Sequence, residues 1–267
     1  MNGLQAKEFE LLCEFVNICS KYNLTYFLVC GSALGAVKYR GFIPWDDDID
    51  VAMPRSDYEI FIKVAQECLP EHVFLQNNDT DPEFPQIYSK LRNSNTTYVE
   101  KTVAHLNINH GVFIDIFPLD PKSTEKGFEL KKRFLFGRLL AFTSGRRSLR
   151  AKLLDFAFKI RYGKLTAKKT VALCNRLIRA EKADTSILCN HGNWQGTLEY
   201  APSSQYGNGT WSCFEGLHVR IPENYDAYLT QKYGDWRADV PLSERQGHHF
   251  FETIDTDNSY TGQTTLR

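Results

Sequence analysis

Long hydrophobic runs are absent from this chain of 267 residues: no window approaches the ~18 consecutive apolar residues that a membrane-crossing helix needs. Met1 to Glu10 lacks the basic start and apolar run of a secretory leader, so the expected location is the cytoplasm. Cysteine is sparse and unpatterned. Cys13, Cys19, Cys30, Cys68, Cys174, Cys189 and Cys213 are odd in number and never spaced as CxxC, which argues against a disulfide framework and a zinc site. Internal repeats and low-complexity linkers are missing too, which favours one α+β unit carrying a helical insertion. No nucleic-acid-binding motif is present, and DNA or RNA is not an expected partner.

What remains is ordinary for a folded chain, with 42% hydrophobic and 24% charged residues. Aromatics are plentiful. The 18 Phe, 13 Tyr and 4 Trp leave material for sites that stack rings. Net charge is zero, yet Lys122 to Lys182 holds 18 Lys and Arg against only Glu125, Glu129, Asp155 and Glu181. The rest of the chain carries the matching acidic excess. Basic residues interleaved with Leu, Phe and Ile, as in KKRFLFGRLLAF and AKLLDFAFKIRYGKL, suit either a solvated helix face or peripheral contact with an anionic membrane.

Apolar spacing predicts a helix over residues 4–22 through Leu4, Leu11, Leu12, Phe15, Val16 and Cys19. TYFLVC (25–30) reads as a buried strand ended by Gly31 and Ser32, and IDVAM (49–53) as a second. Pro54 opens a helix lined by Ile60, Phe61, Val64 and Cys68. GVFIDIFPLD (111–120) is a third strand, closed by Pro118. Residues 123–183 are expected to be helical throughout, 190–215 a loop or irregular sheet, 222–234 a last helix opened by Pro222, and the polar tail after Phe251 frayed.

Between the first two strands lies PWDDDID, four carboxylates in five positions. Charges this crowded raise one another's pKa unless cations or donors sit among them. An EF-hand register fails, because Val51 falls where Gly is required. On a strand, Asp48 and Asp50 share one face while Ile49 and Val51 enter the core. Asp115, flanked by Ile114 and Ile116, can supply a third carboxylate if its strand is a neighbour, and an isolated charge there needs a partner. Three carboxylates on a divalent ion, behind a Gly-Ser turn, are parts suited to phosphoryl transfer.

The runs GSALGAVKYRGFIPWDDDIDVAMPRSDYEIF, KLRNSNTTYVE, FIDIFPLD and YGDWRADVP resemble the LicD family of phosphocholine transferases, related to the fukutin-type glycan phosphotransferases and part of the nucleotidyltransferase superfamily. The likeness is dense over 26–120 and looser over 214–249. It departs after Tyr233-Gly234-Asp235: where the family often shows two prolines, this chain has Asp239-Val240-Pro241. The resemblance implies a nucleotidyltransferase-like small mixed sheet flanked by helices. It divides the chain into a core (1–121), a basic helical insertion (122–185) and a C-terminal substrate region (186–267).

It further implies Asp48, Asp50 and Asp115 as catalytic acids and ligands of Mg²⁺ or Mn²⁺, with Gly31 and Ser32 as the phosphate turn. The implied reaction transfers phosphocholine from CDP-choline or a related CDP-alcohol to a sugar hydroxyl of a cell-surface glycan such as lipopolysaccharide, teichoic acid or capsule, releasing CMP. The expected acceptor is lipid-linked, reached from the inner face of the membrane. Further candidates for substrate contact are Lys38, Arg40, Lys90 and Arg92 near the motif turns, Arg245, His248 and His249 in the C-terminal match, and His110 before the third strand. Trp45, Trp194, Trp211 and Trp236 are available to cage a choline cation, Trp45 first. Two alternatives stay open: a true nucleotidyltransferase, and a non-catalytic glycan-assembly scaffold at the membrane.

Overall fold

The computed structural model describes residues 1–143, 166–179, 182–192, 196–247 and 249–262. Helix α1 (Gly3–Lys21) starts at Asn2, whose side chain accepts from the Gln5 amide while the Gln5 side chain accepts from the Asn2 amide. This reciprocal cap satisfies two otherwise orphan donors. Strand β1 is only Phe27–Leu28, shorter than expected. Cys30, at φ 51°, turns the chain at once into α2 (Cys30–Lys38), so Gly31 and Ser32 lie in the first turn of a helix rather than in a turn that ends a strand. Strand β2 (Asp50–Pro54) leads into α3 (Arg55–Cys68), as the sequence predicts.

Strands β3 (Val73–Gln76), β4 (Ser89–Asn93) and β5 (Thr97–Glu100) precede the long β6 (Val112–Ser123). Pro118 does not close β6. It falls between Ile116, the last residue paired with β4, and Leu119, the first paired with the strand that follows the insertion, where that edge carries no pairing. The basic stretch is not one helix: α4 (Phe128–Thr143) and α5 (Ala167–Ile178) are followed by β7 (Ala183–Asn190), which returns antiparallel to β6. AKLLDFAFKIRYGKL lies outside the described residues.

The expected loop over 190–215 holds β8 (Tyr200–Pro202), the single turn α6 (Ser203–Tyr206) and β9 (Thr210–Phe214), which forms a hairpin with β10 (Leu217–Ile221). Helix α7 (Tyr225–Tyr233) is capped by the Asn224 side chain rather than opened by Pro222. The tail is not frayed at its start: β11 (Phe251–Asp255) pairs antiparallel with β5.

The main sheet runs β1-β2-β6-β4-β3, with β7 and β8 added along the far half of β6. Only β2 and β6 are parallel among these pairings, so the sheet is mixed and the class α+β. Alternation assigns its faces. Val51, Ile114 and Ile116 pack with Phe15 and Phe61 of α1 and α3, while Ala52 and Phe117 join Tyr228 and Leu229 of α7 on the other side. Burial of each large apolar side chain contributes about 1.5–3 kcal/mol. Among the described residues no helix is long and apolar enough to cross a membrane.

Candidate active site

The parallel pairing of β2 with β6 sets Asp50 opposite Asp115. The amide of Asp115 donates to the Ile49 carbonyl at 2.9 Å, and the amide of Asp50 donates to Ser32 Oγ at 2.8 Å. Alternation works as predicted: Ile49 and Val51 are fully buried, and Asp48 and Asp50 are only half-buried. Ser32 is buried and braces the strand that bears Asp50, a role its expected phosphate contact did not foresee.

Burial, then the charges of Asp48 and Asp115, push the Asp50 carboxyl well above the usual carboxylate range. Asp115 is also raised by burial, against the pull of Lys90. Lys90 Nζ stands 3.1 Å from Asp115 Oδ1, an ion pair that offsets only part of the cost of burying the carboxyl. Hard carboxylate oxygens whose ionisation burial and mutual repulsion oppose in this way fit a divalent cation. Asp46 is held up to about 8 by burial and by Asp48 and Asp47. Gly31 leaves room beside it: a Cβ there would lie 2.6 Å from Asp46 Oδ2 and oblige that carboxyl to shift.

A cleft of about 480 Å³ opens in front of Asp46, Asp48 and Asp50. Its other walls include Tyr39, Trp45, Tyr233 and Trp236. Arg245 lies over the Trp45 ring at 4.9 Å, and its Nε donates to the Val240 carbonyl. Trp236 donates to Asp226, and Arg237 covers its ring at 4.1 Å. Trp211 is exposed beneath Arg220, and Trp194 lies outside the described residues.

His249 reaches the acidic loop from the C-terminal region. Its Nδ1 is 3.2 Å from Asp47 Oδ1 and 3.9 Å from Asp48 Oδ2, and its amide donates to Asp47 Oδ2. Burial opposes the imidazolium, but the Asp47 hydrogen bond and the Asp48 charge outweigh it and hold the ring up to about 9. Asp47, Asp48 and His249 also form a compact group of possible metal-ligating atoms. His248 lies outside the described residues.

Four expected substrate contacts are used elsewhere. Arg92 is fully buried, and its guanidinium donates to Gln76, to the Gly111 carbonyl and to Glu100. Lys90 is 2% exposed, wedged between Glu100 and Asp115 over the Phe113 ring. Both cations are framework that sets the charge behind Asp115, because a buried guanidinium with its donors taken cannot also meet an incoming phosphate. Lys38 donates to the carbonyls of Arg237 and Ala238, tying α2 to the chain after α7. His110 is buried against the Leu106 carbonyl. Arg40 is exposed, at φ 58°, just past α2.

Sequence reading missed Glu8 and Glu100. Glu8 is 1% exposed on α1, and burial followed by Asp48, Asp47 and Asp46 pushes its carboxyl well up. Its signal was an acid at an inward position of the series Leu4, Glu8, Leu11, Phe15. Glu100 carries no such periodic mark; it matters because it joins Lys90 to Arg92.

A family model described as LicD/FKTN/FKRP, nucleotidyltransferase domain, matches residues 23–140, the span that carries α2, the acidic loop, β2 and β6. The chain is 27% identical over 269 aligned positions to the lipopolysaccharide cholinephosphotransferase LicD of Haemophilus influenzae, covering 94% of this chain and 98% of that protein. Uncharacterized proteins of Rickettsia prowazekii and Rickettsia typhi are 35% and 33% identical over 63 residues, covering 22% and 19% of their own lengths. The motifs at the site, the matched domain and the end-to-end similarity agree: residues 23–140 match the LicD-family domain, and the chain as a whole is similar to a LicD cholinephosphotransferase.

Proposed function

We propose that this chain is a phosphotransferase that moves phosphocholine, or a similar phospho-alcohol, from a CDP-activated donor to a sugar hydroxyl of a lipopolysaccharide-type glycan. Similarity to a cholinephosphotransferase along nearly the whole of both chains supports the reaction class. The observation that carries the site assignment is the facing of Asp50 and Asp115 on parallel strands, two residues after Asp48. A nucleotidyltransferase-type core fits a mixed sheet that carries paired acids on one strand and a third on its neighbour.

Asp48, Asp50 and Asp115 would hold a divalent ion, which when bound neutralises diphosphate charge. Asp115 accepts the proton of the attacking sugar hydroxyl. The new bond joins that oxygen to the phosphorus bearing choline; the bond to the CMP phosphate breaks, and CMP departs with the electron pair. Trp45 and Tyr39, whose rings meet edge to face at 6.2 Å, offer aromatic faces to a quaternary ammonium. Arg245, over the Trp45 ring, would bring positive charge to the donor's phosphates.

The test is incubation with CDP-choline, CDP-ethanolamine or a nucleoside triphosphate, with Mg²⁺ and a lipopolysaccharide acceptor. CMP release with choline on the glycan is the expected outcome. Pyrophosphate release with a nucleotide left on the acceptor would assign nucleotidyl transfer instead.

A further inference from the structure

Helix α4 buries one apolar face and, among the described residues, leaves two large apolar side chains exposed elsewhere on its surface. Phe128, Phe136 and Leu139 are buried, the last two packed with Ile87 and with Val171, Cys174 and Ile178 of α5. At 100° per residue, Leu130 points the other way, with Gly137 and Ala141 within about 20° of it, and Leu140 lies about 80° round the helix, between Leu130 and the buried Phe136. Leu130 is 75% exposed and Leu140 52%. Arg133 falls about 60° from Leu130 and Lys131 about 100° on the other side, while Lys126 lies in the turn before the helix; all three are exposed.

The helix is fixed in place. Lys132 pairs with Glu129 and donates to Tyr200, and the ring of His105 bonds to the Phe142 carbonyl at 3.0 Å. Protruding leucines ringed by basic side chains combine the two forces that draw a surface helix to a bilayer: insertion of apolar groups among acyl chains, and attraction to anionic headgroups. The surrounding stretch strengthens the second force. Between Lys122 and Lys182 the described residues hold 11 Lys and Arg against Glu125 and Glu129. A second copy would set this basic face against itself, and nucleic acid would give the leucines nothing to enter.

We infer that the exposed side of α4, with Leu130 and Leu140 as the inserting side chains and Lys131, Arg133 and the neighbouring Lys126 as the headgroup contacts, docks the protein on an anionic membrane surface. The chemistry it reads is a negatively charged lipid headgroup above an acyl layer. Docking needs no chemical step and stands apart from the transferase reading.

Flotation of the whole chain with phosphatidylcholine vesicles, with and without phosphatidylglycerol, tests it. Binding to the anionic vesicles alone, reversed by salt, is expected. Lys131→Gln and Arg133→Gln should each lower the partition roughly fivefold, and Leu130→Ser and Leu140→Ser should each lower it several-fold. Far-UV circular dichroism of the exposed-site variants checks that they fold, and CMP release with a water-soluble acceptor should match that of the unaltered chain. Equal binding to neutral vesicles, no binding to either, or unchanged binding by the Gln and Ser variants overturns the inference. Loss of CMP release in the unaltered chain would instead count against the transferase reading alone.

Discussion

Asp50 is held in an arrangement that opposes its own ionisation: burial and the charges of Asp48 and Asp115 all raise its carboxyl. A site of this kind stores instability until a cation arrives. Asp50→Asn should therefore cut transfer by roughly 100-fold or more while leaving the melting temperature of the metal-free protein equal or higher. Activity assays beside thermal denaturation check both halves, and a folded variant with full activity would remove Asp50 from the machinery. Glu100 is the converse case. Burial works against its charge, yet Lys90 and Arg92 prevail and hold the carboxyl down to about 2, from 4.5. The stability this adds is present above pH 4.5 and disappears as pH falls toward 2, on the order of 3 kcal/mol. Glu100→Gln should lower stability at pH 7 and flatten the acid side of the profile, as read by urea unfolding from pH 7 to 2.

Helix α1 works on the site through Gln5, whose amide donates to the carbonyls of Ile43 and Asp46 at 3.4 and 3.0 Å. Gln5→Ala removes those bonds and half of the reciprocal cap, an expected loss of about 1–3 kcal/mol, measurable by urea unfolding, with a rise in KM as the acidic loop loosens. Such couplings mark the limit of reading elements from the sequence. Helices α1 and α3 and strands β2 and β6 were legible because period and punctuation agree along them, as in Ile49-Asp50-Val51 and Pro54. Strands β4, β5 and β11 were not. SKLRN buries Lys90 and Arg92, which read as surface residues until Glu100 is placed between them, and FETID is held by its backbone on β5 rather than by buried side chains. Local pattern reports burial of apolar side chains. It is silent about long-range ion pairs and edge pairing.

At the scale of the molecule, the site is assembled from both ends of the chain: Gln5 and Glu8 of α1 meet the acidic loop, His249 pairs with Asp47 of that loop, and β11 after it is paired with β5. A chain ending at residue 247 loses the Asp47 partner and the strand on β5. It should melt at a lower temperature and release little CMP, whereas full activity would detach the C-terminal segment from the site. The charge division points the same way, with the acidic excess outside Lys122 to Lys182 and the basic excess within it, so the protein has an electrostatic direction despite its zero sum. The bond between His249 and Asp47 joins positions 202 apart. A contact of such high order closes late in folding, so a nascent chain emerging from the ribosome would display its carboxylates without their imidazole counterweight until translation has passed that histidine.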